Sequence, residues 1–319
     1  MASKVMSTLN YPRIHDAHGR SFCESNQAYT LPVDKQERER LDGLHELIRA
    51  KYRGLYLRQD DIRRVLAVRS GYTPMVLDIG TGSGVWAIEM AREFPHAQVM
   101  GIDLVSPILK TTPPPNCRFE SHDINHGLDQ FGLTFDVINI RCVDQGIVSQ
   151  VGLVSTVAKA LRPGGVFLSL GGSLDIYDAK EGLVVNKNED EPGFSWTAKF
   201  FNAYGQAVMR RCPSVADVPH MLNSVRKIDD WQECGGDAIR LPIGPWEQDE
   251  NGRIVGEKMR GVVLAISQSI RPVLLSDGHP AEVVDLWIAK TFDELLNHGR
   301  QLYIEFHFVW AIKKTQAAP

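Results

Sequence analysis

Between Val76 and Ala91 the sequence reads VLDIGTGSGVWAIEMA. An acid, Asp78, precedes three glycines, Gly80, Gly82 and Gly84, that alternate with Thr81 and Ser83, and an apolar helical pattern follows at once. Glycines so placed let a backbone turn sharply and approach a ligand without a Cβ in the way. Amides at the start of the next helix receive an anionic group. A dinucleotide fingerprint requires its third glycine three residues after the second, a position held here by Val85. Asp78 would also face the pyrophosphate, which a carboxylate repels. The loop therefore reads as a ligand-binding turn for something other than a dinucleotide.

Other residues could act with it. Asp103 lies 19 residues after Gly84 and ends a β-rich run, where a carboxylate can accept hydrogen bonds from both hydroxyls of a ribose. Asp144 and Gln145 follow a later strand and either touch a substrate or cap the next helix. Tyr177, Trp196, Phe200, Phe201 and Tyr204 either wall a flat apolar substrate or form the core of a covering segment. His220 is the first candidate for a general base, against a plain surface or packing role. His307, between Phe306 and Phe308, reads as a sheet residue. His122 and His126 are four apart but have no evident third partner, so no metal site is expected. His15 and His18 read as solvated.

These residues need a frame to hold them. Met75–Ile79, Gln98–Asp103, Arg118–Ser121, Phe135–Arg141 and Val166–Leu170 are strand patterns, separated by helical runs such as Val85–Phe94 and Val148–Leu161. That alternation predicts βαβ crossovers and a doubly wound, mostly parallel α/β sheet. Residues 1–28 read as an extended arm, followed by an amphipathic helix with Leu41, Leu44, Leu47 and Ile48 on one face and a short helix over Asp60–Val68. Ile228–Cys234 reads as a helix end stopped by Gly235-Gly236, and Ala238–Ile243 as a strand. Helices Gly261–Leu275 and Pro280–Asn297 and a strand Gln301–Ile312 follow. The expected organisation is an N-terminal arm and helical cover (1–70), a core (71–171), a lid insertion (172–227) and a completion of the sheet (228–319) with helices at 245–299.

Composition narrows the partners. The 319 residues carry a net charge of −4, with 43% hydrophobic and 23% charged residues, so no global basic field exists to hold nucleic acid or anionic lipid. Five cysteines, with no C-x-x-C pair, read as reduced thiols. Neither a secretory signal nor a run of roughly 18 apolar residues is seen. The expectation is a cytoplasmic protein, or a nuclear one, with a small-molecule substrate and no membrane or nucleic-acid partner.

D-x-G-x-G-x-G resembles motif I of the class I S-adenosylmethionine-dependent methyltransferases, and Arg162-Pro163-Gly164-Gly165 resembles the L-[RK]-P-G-G turn of the same group. The segments YTLPVDKQERERLDGLH, GTGSGVWAIEMAREFPHAQVMGIDL, PPNCRFESHDIN, FDVINIRCV and LPIGPW look like the fungal secondary-metabolism methyltransferases of LaeA-like or UMTA type, over about residues 29–312. The resemblance implies a Rossmann-like seven-stranded sheet with bound S-adenosylmethionine. Asp78, Gly80, Thr81, Gly82 and Gly84 would hold its methionine part, Asp103 and Leu104 the ribose, and Asp123 and Ile124 the adenine. Tyr29 would fold over it, Arg141 would lie close, and Trp86 matches the family's G-[IV]-W. The implied activity is O-methylation of a small aromatic or polyketide-like metabolite at a hydroxyl or carboxyl. Two alternatives stand beside it: a LaeA-type regulator working through protein partners, and a methyltransferase-like catalyst that keeps its cofactor as a fixed cation.

Overall fold

The computed structural model describes residues 13–315 except 133, 181, 186, 187 and 298, so the first twelve residues of the expected arm lie outside the described residues. The rest of that arm is not simply extended. Ile14–Ala17 (β1) and Arg20–Cys23 (β2) pair as a hairpin. Its two turn residues, His18 and Gly19, both take positive φ (51° and 74°), the geometry that matches strand twist in a two-residue hairpin. His15 stacks on Phe22 across the hairpin. Arg20 then anchors the unit, donating to Asp34 at 2.6 and 2.9 Å.

Asp34 also caps the next helix, Lys35–Tyr52 (α1), by accepting from the Glu37 amide at 3.0 Å. Leu44, Leu47 and Ile48 are buried, as the sequence spacing requires, and a short helix, Gln59–Val65 (α2), follows. The central elements are Met75–Ile79 (β3), Val85–Glu93 (α3), Gln98–Asp103 (β4), Cys117–Ser121 (β5), Phe135–Arg141 (β6) and Gln150–Ala160 (α4). Leu161–Asp178 (β7) and the short Gly182–Leu183 (β8) come next. Then follow Trp196–Met209 (α5), a 3-10 helix over Pro213–His220, Met221–Arg226 (α6) and Trp231–Pro242 (β9). Glu250–Ser276 (α7), Ala281–Asn297 (α8) and Leu302–Lys313 (β10) complete the chain.

The sheet runs β5-β4-β3-β6-β7-β10-β9, with β8 added on β7, making eight strands where seven were expected. The β5, β4, β3, β6 and β7 neighbours pair in parallel, and β10 is antiparallel to both β7 and β9. Val76, Val99 and Val137 pack into one core while their neighbours Leu77, Met100 and Ile138 pack into another, one on each face of the sheet. Burial on both faces is what turns these strands into continuous apolar runs. The chain leaves β3 toward β4 on one side and returns to β6 on the other, so a crevice opens beyond the carboxyl ends of β3, β4 and β6.

Three expectations need correction. The core boundary placed at residue 171 cuts through β7, which continues to Asp178. Residues 228–234 do not end a helix: β9 starts at Trp231 and Gly235 and Gly236 lie inside it. A Cβ at Gly235 would sit 2.8 Å from the Trp310 ring, so glycine here makes room for a cross-strand indole. The helix expected at Gly261 begins eleven residues earlier, at Glu250, where Asp249 caps it through the Gly252 amide at 2.8 Å. No helix among the described residues is long and apolar enough to cross a membrane.

Candidate functional site

The glycine loop closes the carboxyl end of β3. Gly80, Gly82 and Gly84 have φ of +66°, +57° and +78°, a region that side chains rarely enter. A Cβ at Gly80 would lie 2.2 Å from Val143. Asp78 is 2% exposed and is used up in tethering this loop: it accepts from Thr81 Oγ1 and from Asn139 Nδ2, each at 2.8 Å. Burial raises its pKa, with Arg141, Asn139 and Thr81 opposing. The Gly82 amide donates to Asp103 Oδ2 at 2.8 Å, which joins the loop to the end of β4. Burial also raises the Asp103 pKa, partly offset by the Gly82 and Val105 amides and by the charge of Arg38. Among the described residues no side chain donates to this carboxylate.

A cavity lies over these strand ends. Its floor is Ile79, Gly80 and Gly82; Asp103, Leu104, Asp123 and Ile124 form one side and Arg141, Val143 and Gln145 the other. Its roof comes from the N-terminal segment and α1: Asn26, Tyr29, Glu37, Arg38 and Leu41. Arg38 straps the roof down, donating to Gly82 O at 2.8 Å and Ser106 O at 3.0 Å. Asn26 reaches Asp123 Oδ2 at 3.2 Å and Gly146 O at 2.8 Å, tying roof to side wall. Behind Glu37, Arg40 pairs with it at 2.6 Å and Ser269 donates to it at 2.6 Å, so this buried acid is fully satisfied.

Two further groups define the wall formed by the end of β6. Arg141 donates to His45 Nδ1 at 3.2 Å, and His45 Nε2 meets Glu89 at 3.1 Å. Burial, Arg141 and Arg49 push His45 down to about 3, so the imidazole is neutral and donates from Nε2. Next along the chain, Asp144 is pushed up to about 7 by burial, against one opposing bond from the Gly172 amide. Gln145 accepts from Thr30 Oγ1 at 2.6 Å and donates to the Tyr204 hydroxyl.

The structure thus brings Tyr29, Gly80, Gly82, Asp103, Leu104, Asp123, Ile124, Arg141 and Gln145 around one cavity. It does not bring Asp78, Thr81, Gly84, Trp86, Asp144, Tyr177, Trp196, Phe200 or His220 into the lining. Thr81 and Gly84 shape the loop from below, and Trp86, 1% exposed, donates to Leu55 O at 2.9 Å inside the core. Phe200 is fully buried in the core, Tyr177 lies under the Arg240 guanidinium at 4.0 Å, and Trp196 packs edge-on to Phe194. His220 ends the 3-10 helix in an exposed position outside the cavity lining, which removes the reason for giving it a proton. His122 does line the cavity, but it bonds Gly127 O at 2.6 Å and Gln130 at 2.8 Å, so both ring nitrogens are engaged. No cluster of three metal-ligating side chains occurs among the described residues. Sequence reasoning missed Asn26, Glu37 and Arg38, which sit in polar or charged stretches where nothing distinguishes them from their neighbours.

A family model described as a methyltransferase domain matches residues 73–191. The secondary metabolism regulator laeA of Coprinopsis cinerea is 29% identical over 273 residues, covering 85% of this chain and 67% of that protein. Methyltransferase pytC of Aspergillus terreus is 30% identical over 252 residues, covering 76% of this chain and 70% of that protein. The chain belongs to the LaeA-like methyltransferases. A solved phosphoethanolamine N-methyltransferase of Haemonchus contortus is similar at 15% identity with a TM-score of 0.42, over 81% of this chain and 52% of that one. As a LaeA-like methyltransferase the chain takes S-adenosylmethionine as its cofactor, and the cavity fits it. Asp103 offers a carboxylate with no side-chain donor to a ribose, and Gly80 and Gly82 line the cavity with backbone alone, packed so closely on Val143 and Leu41 that no side chain fits there.

Proposed function

We propose that this LaeA-like methyltransferase methylates an oxygen of a small aromatic or polyketide-like metabolite. The observation that supports the reading is the enclosure of the site: the roof from Asn26 to Leu41 is tied to both walls through Arg38 and Asn26. A bulky macromolecular acceptor would have to break those ties, whereas a small one fits beneath them. Asp103 would bind the ribose, Asp123 and Ile124 the adenine, and Gly80 and Gly82 the methionine part.

The cofactor supplies an electrophilic methyl group. The residues of this chain supply orientation. Holding an acceptor oxygen in line at near-attack distance is worth roughly 7–11 kcal/mol of barrier. A neutral hydroxyl also gains about 10²–10⁴-fold from a base. Asp144, pushed up to about 7 by burial, stands between Val143 and Gln145 of the wall but does not line the cavity, so neither it nor His220 is assigned as a base. Asp103, Asp123, Ile124, Gly80 and Gly82 would hold the cofactor, which would supply its methyl group to the acceptor oxygen and keep the sulfur electron pair, while the hydroxyl proton would leave to solvent.

Release of S-adenosylhomocysteine against a panel of phenols and carboxylic acids tests this reading, and no release from any of them would overturn it. A regulatory reading has its own support, since several relatives, including that of Coprinopsis cinerea, are named as regulators of secondary metabolism. Stable protein partners in a pull-down from fungal extract, without turnover of small acceptors, would favour it.

A further inference from the structure

Arg141 is a cavity residue whose charge no ion pair answers. It ends β6, and because Ile79 pairs with Ile140 it stands next to Gly80 at the carboxyl ends of two neighbouring strands. Its Nε is buried with no hydrogen-bond partner, and among the described residues no carboxylate pairs with the guanidinium. Asp78 is the carboxylate that acts on it most strongly, but the Asp78 oxygens are taken by Thr81 and Asn139. Burial lowers the Arg141 pKa, with Asp78 and Glu89 opposing, yet a guanidinium stays charged in a protein. A buried cation without a paired anion is costly, which points to an anion brought by a ligand. The other arginine of the lining, Arg38, is already occupied by the carbonyls of Gly82 and Ser106.

The guanidinium is held in place from the roof. One of its terminal nitrogens donates to His45 Nδ1 at 3.2 Å, and His45 Nε2 donates to Glu89 at 3.1 Å, which Arg49 also bonds at 2.9 Å. That chain of contacts works with one tautomer only, the proton on Nε2 and Nδ1 bare. His45 is 3% exposed, so α1, α3 and β6 meet at a buried imidazole. A side chain fixed in this way restricts where Arg141 can reach.

We infer that Arg141 receives the carboxylate of the cofactor's methionine part and that His45 is a positioning residue, aiming the guanidinium at it. The strand order carries the argument. β5, β4, β3 and β6 lie side by side, so the end of β5 near Asp123 and the end of β6 at Arg141 are three strand spacings apart, about 14 Å. A cofactor with its adenosine against Asp123 and Asp103 brings its amino-acid end to Gly80 and Arg141. Of the two charges on that end, the carboxylate is the one a guanidinium attracts. The inference rests on cofactor binding alone and holds whichever acceptor is methylated.

Calorimetry on the full chain tests it with two ligands, S-adenosylhomocysteine and its decarboxylated form, which keeps the adenosine, the sulfur and the ammonium. Failure of S-adenosylhomocysteine to bind would defeat the cofactor assignment itself and this inference with it. The wild-type protein should prefer S-adenosylhomocysteine over the decarboxylated form at least about thirtyfold. Arg141→Met should erase that preference by bringing S-adenosylhomocysteine down to the level of the other ligand. His45→Phe, which cannot accept from Arg141, should shrink the preference about three- to tenfold, and His45→Asn, whose amide oxygen takes the place of Nδ1, should restore it. A loosened fold weakens both ligands together, so the ratio of the two affinities reports the carboxylate alone. Equal binding of the two ligands by the wild-type protein overturns the inference and needs no variant. A preference that survives Arg141→Met overturns it too, and one that His45→Phe leaves unchanged removes His45 from its role.

Discussion

Replacing Asp103 by Asn separates what this carboxylate does for the fold from what it does for the cofactor. In the protein alone its charge is a burden: burial raises its pKa above the unfolded value despite the Gly82 and Val105 amides and the charge of Arg38. A carboxyl raised in this way binds protons more readily when folded, so stability falls as pH rises through the folded pKa. The ionised form therefore costs stability, and Asp103→Asn should leave the ligand-free protein as stable or more so, provided the amide oxygen still accepts from Gly82 at the 2.8 Å site. Cofactor binding should change the other way. A hydrogen bond to a charged acceptor exceeds one to a neutral acceptor by about 1–1.5 kcal/mol, and two ribose hydroxyls make that about 2–3 kcal/mol. The loss corresponds to about 30–150-fold weaker binding. Calorimetry with S-adenosylhomocysteine and urea unfolding of the ligand-free protein read the two effects separately. Unchanged affinity would refute the ribose assignment, and a parallel fall of stability and affinity would mean that Asp103 serves the loop instead.

Three further outcomes are expected. Arg38→Met removes both bonds that strap the roof to Gly82 and Ser106 and should raise the dissociation rate of S-adenosylhomocysteine about tenfold in stopped-flow measurements. Glu294→Ala should cost about 2–4 kcal/mol in urea unfolding, because the buried carboxylate accepts from Ser195 Oγ, Thr197 N and Thr197 Oγ1 at 3.0, 2.8 and 2.7 Å and caps α5 from α8. Asp144, pushed up to about 7 by burial, makes the protein lose stability as pH rises from about 4 to 7. Asp144→Asn should flatten that slope in thermal melts taken across the interval, and an unchanged slope would show that Asp144 is not its source.

The parts of the site that were legible in the sequence are those whose chemistry is local. Asp78, the three glycines, Asp103 and Asp123 sit at strand ends, and a strand end can be found from an apolar run and a turn. The same reading misassigned Asp78 and Thr81, because a buried acid bonded to its own loop has the same sequence as one facing a ligand. The roof was only partly legible. Glu37, Arg38 and Arg40 lie within four residues of one charged helix, and only the packing of α1 against the strand ends decides which one straps the cavity and which pair is buried. The bulge in β7 was invisible for another reason. Residues 173–175 stand opposite Glu305 alone, two more than an even register allows, and they shift the register without changing the apolar pattern, so the core boundary escaped notice.

The place of β10 in the sheet bears on how the chain assembles during synthesis. It lies between β7 and β9 and pairs with both, yet α7 and α8 separate it from β9 in the sequence. A ribosome therefore delivers the edge of β7 and the whole of β9 well before the strand that joins them. Until Leu302–Lys313 emerges, both present unpaired backbone to other chains, which is the condition for misassembly. Yield in the cell should thus depend on chaperone capacity over that interval more than on the stability of the finished protein.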